Sequence, residues 1–467
     1  MNQDQFLLYD HNKQINLKAE RVAFYLQGQI LEAFSEKNEV YYLFFYKDQF
    51  LTAAKAKKLR RQCYIEHAFK EGMVFKSPHP LVDILLSSNH PCQKISFHPL
   101  LEKLDKHYSP QEKAVILTFF ESFIPKKRLY KEMTSVYYEH RRNGQYFSAY
   151  RIIQILMDFA PNNSMVKSLA TDMDFKKYAV LYNQEPEKLL AKDPVFAEKM
   201  LYSQKENDKD FHQLVDLLEQ ESRWMNLIAL HIHRLTSTPS YGCYAHLLRL
   251  LDQHVNENEA LYVLEKLSSQ LPDFDPLQKD LLNKYLESHN VNKVFHMIQS
   301  HDFKINDSST VHTLGAMLEE LDLDTSIVNP EVLPTLLKQY IDLFPEKAEI
   351  VLNKCVISLM KTHDLSHIQE WLKPLKENHK NLQIFGKINT MQRIYEDPDE
   401  MQSLGELYYE FSQLDKAIEC FSWEMELNPT NPKPPHWLAK SYRDKGMNDE
   451  SEAYQQLSID LQKGLSG

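Results

Sequence analysis

From about residue 110 onward, apolar residues recur at i, i+3, i+4 and i+7 within segments of roughly a dozen residues, separated by short polar breaks. DFHQLVDLLEQESRWMNLIALHIHRL (210–235), YAHLLRLLDQHV (244–255), NEALYVLEKLSSQL (258–271) and PLQKDLLNKYLESH (276–289) carry this helical period, and the breaks TSTPSYG, PDFDP, NDSS and PTNP supply turn and stop chemistry. A helix with one apolar face must bury it on a neighbour, so the pattern predicts stacked helical hairpins over 111–467. Residues 1–110 read differently. RVAFYLQGQILEAF and EVYYLFFYKDQFL are rich in aromatic and β-branched residues with partial alternation, and MVFKSPHP and KISFHPL are short apolar pieces beside proline. They predict a small α+β cap ahead of the helices.

Composition sharpens this picture. Only 10 of 467 residues are glycine, about 2% against a usual 7%. Sandwiches, barrels and doubly wound sheets need glycine for turns and phosphate loops, whereas helix pairs can turn on Asn, Asp, Ser or Pro. No GxGxxG, GxxxxGK, GxSxG or HExxH occurs, so the common nucleotide, hydrolase and metalloprotease signatures are excluded. No cofactor is implied, and the chain is expected not to be an enzyme. The five cysteines never fall in a CxxC spacing, which suggests reduced thiols rather than a disulfide framework or a zinc knuckle. No run of 18 apolar residues is present and the first residues do not resemble a signal peptide, so a cytoplasmic location is expected.

One stretch fixes the kind of hairpin. In LGELYYEFSQLDKAIECFSWEMELNPTNP (404–432), setting Pro429 at position 32 of a 34-residue unit puts Leu404, Gly405, Tyr408, Ala417 and Phe421 at positions 7, 8, 11, 20 and 24. This resembles the tetratricopeptide repeat (TPR) pattern L-G-x-x-Y, A-x-x-x-F, P. The small residues would let two helices cross closely, Tyr408 and Phe421 would fill the flanks, and Pro429 would end the second helix. Position 27, usually Ala, is Glu424, which should push the next helix outward or solvate that edge. A second unit, 130–163, matches well in its second helix (Gly144, Ala149, Ile153, Leu156, Pro161) and carries Tyr137 in place of the small residue. A third, 432–460, resembles a terminal capping unit through Leu438, Ala439, Tyr442 and Gly446. The whole chain resembles cytosolic TPR proteins of low-GC Gram-positive bacteria. The implied fold is an all-α superhelix, a TPR-like solenoid, behind the α+β cap.

In TPR arrays, positions 2, 5, 9, 12 and 13 of the first helix line a concave groove. The resemblance assigns Lys131, Tyr138, Arg141 and Arg142 to it in the first unit, Gln402, Glu406 and Tyr409 in the second, and Lys433, His436, Lys440 and Arg443 in the last. Lys/Arg sets of this kind grip carboxylates through charge-assisted hydrogen bonds. The implied function is a scaffold that binds a protein or peptide ligand, of acidic character, in its groove.

Charge adds an alternative. The net charge is −11, yet residues 1–160 hold 23 Lys and Arg against 17 Asp and Glu. KAKKLRR (55–61) in that basic region suggests a regulator whose N-terminal segment touches nucleic acid, although its basic and aromatic residues are not interleaved on one surface. His231, His233, Cys243 and His246 form the densest set of ligand-type residues, but His231 and His233 are two apart on a helix and face nearly opposite ways. The carboxylates Glu319, Glu320, Asp322 and Asp324 read as solvated faces or caps.

Overall fold

The computed structural model describes residues 5–11, 13–182, 186–290, 333–376 and 381–464, with a few single positions besides. The carboxylates Glu319, Glu320, Asp322 and Asp324 and the NDSS break lie outside the described residues. The chain divides into two compact units, Met1–Leu277 and Gln278–Gly467. It is mainly helical, with one sheet in the first unit.

That sheet is built from β1 (Gln5–Asp10), β2 (Lys13–Tyr25), β3 (Gly28–Ser35), β4 (Val40–Tyr46), β5 (Gln49–Ala56), β6 (Met73–Lys76) and β7 (Cys92–Lys94), in the order β5-β4-β3-β2-β1-β7 with β6 on β2. The β1–β7 pair is parallel and the rest are antiparallel. The ends of the order curl toward one another: Thr52 Oγ1 of β5 donates to the Ile95 carbonyl (2.8 Å) and accepts from its N–H (3.0 Å). Almost every residue of β3 and β4 is buried. Residues just past the ends of the following helices cover one face of these strands, through pairs such as Phe44–Phe120 (4.7 Å) and Tyr46–Tyr108 (5.5 Å). Burial on both faces explains why VYYLFFY is a continuous apolar run instead of an alternating one.

The helices of this unit are α1 (Tyr64–Glu71), α2 (Pro80–Ser88), α3 (Phe97–His107), α4 (Pro110–Thr118), α5 (Lys126–Arg142), α6 (Tyr146–Phe159), the short α7 (Ser164–Ala170), α8 (Lys176–Tyr182) and α9 (Pro186–Leu190), then α10 (Pro194–Ser203), α11 (Asp208–Gln220), α12 (Trp224–Ser237), α13 (Tyr241–His254) and α14 (Glu257–Gln270). Local chemistry marks their starts. Ser109 and Glu112 form a capping box before Pro110, and Asn256 and Glu259 form another at α14. A buried polar joint ties the sheet to α10–α12. Arg223, 2% exposed, donates to Glu198 (2.7 Å) and to the Leu26 carbonyl (2.8 Å) in the β2–β3 turn, while Gln27 donates to Glu198 (2.6 Å) and Gln29 to Asn226 (3.0 Å). Next comes α15 (Asp275–Glu287), which spans the division between the units.

The second unit contains α16 (Leu333–Leu343), α17 (Ala348–Leu359), α18 (Leu365–Lys376), α19 (Gln383–Ile394), α20 (Met401–Glu410), α21 (Leu414–Leu427), α22 (Lys433–Asp444) and α23 (Asn448–Gly464). The α20–α21 and α22–α23 hairpins coincide with the last two repeats read from the sequence, and α5–α6 with the first. Gly405, Ala417 and Phe421 are all buried, and Gly405 faces the Phe421 ring. In α5–α6 the bulk sits on the opposite helix, with Tyr137 fully buried at position 8 and Ile153 at position 24. Glu424 is buried instead of solvated, because Asn428 one turn later donates to its carboxylate (2.7 Å).

One turn geometry recurs in both units. Gly144, Ser222, His289, Ser412 and Gly446 all have positive φ (69°, 56°, 51°, 53° and 83°). In each case the following N–H returns to the carbonyl five residues back, as from Gln145 to His140, Arg223 to Leu218 and Gln413 to Tyr408, each at 2.9 Å. This is the left-handed helix ending of a Schellman motif. Counted from Asp208, Ser222 falls at position 15 and Pro239 at position 32, so α11–α12 has the same frame as the three sequence-legible hairpins.

Candidate functional site

Helix α22 presents Lys433, His436, Lys440 and Arg443 at i, i+3, i+7 and i+10, one face of a helix. Lys433, His436 and Arg443 are exposed, and their side chains have no ion-pair partner among the described residues. Lys440 is half-buried, with its ammonium 4.6 Å from the centroids of both Tyr409 and Trp437. These two rings meet edge to face at 5.2 Å, and Trp437 stacks on the buried Phe421 at 5.7 Å. The Tyr409 hydroxyl donates to Asp444, and burial together with that carboxylate pushes its pKa up to about 12. On α20, Gln402 Nε2 donates to Glu406 (2.7 Å), and Gln402 Oε1 is buried with no donor among the described residues. The surface is therefore a row of cations beside an aromatic shelf that fixes one of them. It suits carboxylates and extended backbone, and it holds no nucleophile–base pair.

In the first unit, α5 exposes Lys131, Tyr138 and Arg142 at i, i+7 and i+11. Arg141 lies about 100° around the helix from Arg142. It is engaged at the surface of its own unit, donating to the Tyr137 hydroxyl (2.7 Å), Asp172 (3.0 Å) and Asp174 (3.4 Å). Of that adjacent pair, Arg142 alone offers an unengaged guanidinium.

Trp437 and Asp444, which hold Lys440 and Tyr409, were missed by reasoning from groove positions. The available signal was an aromatic immediately after His436 in a helix whose neighbour ends in Tyr408 and Tyr409. The basic segment 55–61 does not form one face. Lys55 pairs with Glu39 (2.7 Å), Lys57 and Lys58 are exposed, and Arg60 and Arg61 lie in the loop before α1.

The histidine set separates as its spacing requires. His231 is 3% exposed, sits 3.2 Å from Cys243 Sγ and stacks on His246, whereas His233 points to Glu206 (3.0 Å). Burial, followed by the charges of His246 and Arg249, lowers the His231 pKa to about 4, and burial raises the Cys243 thiol to about 11. Among the described residues no group of three or more His, Cys, Asp or Glu could hold a metal ion. No described helix is long and apolar enough to cross a membrane.

No family model matches the sequence. No curated protein matches it either. Solved structures give distant likenesses. A crystal structure of MamA is 16% identical over 40% of this chain and 92% of that one, with a TM-score of 0.15. A structure of Naa15/Naa10 bound to HypK-THB is 11% identical over 78% of this chain and 60% of its own, with a TM-score of 0.21. Yeast Tom70 is 14% identical over 73% and 77%, with a TM-score of 0.18. At such scores no argument is drawn from the likeness.

Proposed function

We propose that the protein is a non-enzymatic, cytoplasmic TPR-type scaffold that holds an acidic peptide or protein segment against the cationic face of its first helices. The observation that carries this reading is the α22 face, where Lys433, His436 and Arg443 stand unpaired beside Lys440, itself held over Tyr409 and Trp437. Fixed cations lose less conformational entropy on binding than mobile ones, and charge-assisted hydrogen bonds set the register of an extended chain. The α5 face with Lys131, Tyr138 and Arg142 would act in the same way within its own unit. Crosslinking capture from native cytosol, repeated with Lys433, Lys440 and Arg443 reversed to Glu, tests the reading. Partners held by the wild type and released by the triple reversal support it, and an unchanged set of captured partners refutes it.

A further inference from the structure

A cleft lies wholly within the sheet-bearing unit. The end of β2 and helices α1, α4, α6 and α10 line an open cleft of about 650 Å³, a size common among small-molecule sites. Cations reach it from four separate elements: Arg60 and Arg61 from the loop after β5, Lys126 from the start of α5, Arg151 from α6 and Lys199 from α10. Three carboxylates also line it, and each is already engaged. Glu71 meets His67 (3.1 Å) and the Tyr25 hydroxyl (3.3 Å). Glu121 accepts from the Tyr64 N–H (2.8 Å) and lies 3.6 Å from Lys126, and Asp158 accepts from Lys199 (2.5 Å).

Arg60 and Arg61 are left over, and Arg151 is only partly satisfied. The Arg60 and Arg61 side chains have no acceptor among the described residues, and Arg151 Nε is buried with no hydrogen-bond partner. Arg151 Nε makes a long ion pair with Asp193 (4.0 Å), which also accepts from Gln111 (2.7 Å), the Tyr182 hydroxyl and the Phe196 N–H (3.2 Å), and the Arg151 guanidinium lies over the Phe147 ring (4.8 Å). A buried N–H without an acceptor costs free energy, and converging like charges repel. A ligand carrying several negative charges removes both penalties at once.

We propose that this cleft binds a small polyanion through phosphate or carboxylate groups, with Arg60, Arg61 and Arg151 as the holding residues. Guanidinium forks match both oxyanions bidentately. The site is separate from the peptide-binding face and does not depend on it.

Isothermal titration of the full chain with ATP, inorganic pyrophosphate and citrate, each alone, tests the proposal and separates a nucleotide, a bare phosphate and a polycarboxylate. The expected result is one saturable site for at least one probe, weakened about tenfold or more by R60Q/R61Q and by R151Q. The control K57Q/K58Q, which removes the same charge outside the cleft, should leave the affinity unchanged. Circular dichroism and melting of the variants report whether they remain folded. No saturable binding of any of the three probes, or equal weakening by the control, overturns the proposal. So does saturable capture of an acidic peptide with none of the small probes bound.

Discussion

Gly405 on α20 lies directly against the ring of Phe421 on α21: a Cβ built on Gly405 would come within 2.6 Å of Phe421 Cε1. The hairpin therefore closes on a hydrogen atom at that point, and Phe421, fully buried, occupies the space a side chain would need. In a helix interior Gly→Ala alone gains about 1 kcal/mol of propensity, while overpacking a filled core costs about 1 to 3 kcal/mol. Gly405→Ala should thus destabilise the protein by up to about 2 kcal/mol, and in a Phe421→Leu background the same substitution should become neutral or stabilising. Chemical denaturation of the four proteins of this cycle measures the coupling. Additive effects would mean the two residues do not share the space.

The left-handed helix endings offer a gain. Ser412 has φ of 53° where the equivalent residues Gly144 and Gly446 are glycine. A Cβ in that region costs about 1 to 2 kcal/mol, partly offset by the extra entropy of an unfolded glycine. Ser412→Gly should raise the stability of the second unit by about 0.5 to 1 kcal/mol, and Gly446→Ala should lower it by about 1 kcal/mol. Thermal melts read both signs.

These two features show what the sequence made legible. Gly405, Ala417, Phe421 and Pro429 differ sharply from a background poor in glycine, so the hairpin they define could be read from spacing alone. The turn at Ser222 and His289 could not, because neither residue announces a positive φ, and the sequence 210–235 reads as one stretch of helical period with no break between α11 and α12. In β3 and β4, burial on both faces erased the alternation that sets register, so strands were expected there without a topology. At the site, the exposure of Lys433, His436 and Arg443 follows from helical phase. The diversion of Arg141 to Asp172 and Asp174, and the seating of Lys440 over Tyr409 of α20, depend on partners about 30 residues away, which no local pattern contains, whereas Trp437 lies three residues before Lys440 on the same helix and was within reach of spacing.

The joint around Arg223 should be strongly coupled. Removing one member of a buried ion pair leaves the other charge uncompensated and costs about 3 to 5 kcal/mol. Arg223→Met is therefore expected to destabilise the first unit by that order, since Glu198 is itself 3% exposed. Replacing both, Arg223→Met with Glu198→Leu, should recover most of the loss, because the cost lies in the orphaned charge. Denaturant titration followed by tryptophan fluorescence, with Trp224 adjacent to the joint, provides the measurement. A double variant no more stable than the single would show that the pair's hydrogen bonds to Leu26 and Gln27 matter more than its charge.

Stability should also fall on mild acidification. Burial, with a smaller contribution from Lys266, lowers the pKa of His79 from 6.5 to about 4, and burial with His246, Arg249 and His212 nearby lowers that of His231 to about 4. Between those values the unfolded chain binds protons that the folded chain refuses, so this stability is present above pH 6.5 and is lost as the pH falls. Asp48 acts oppositely: burial, against the pull of Arg223, raises its pKa from 3.8 to about 6, so the folded state gains as pH falls through that value. At pH 5 the two histidines together cost about 4 kcal/mol and Asp48 returns about 1 kcal/mol, a net loss of about 2 to 3 kcal/mol relative to pH 7.5. In His231→Gln one of the two histidine contributions disappears, and the difference between the two pH values should shrink to below about 1 kcal/mol. Denaturation curves at pH 7.5 and pH 5 for both proteins decide it, because the comparison is of slopes with pH and is insensitive to what the substitution itself costs. An unchanged slope in His231→Gln would mean that this imidazole is protonated inside the fold, with the Cys243 and His246 contacts rearranged to admit the charge.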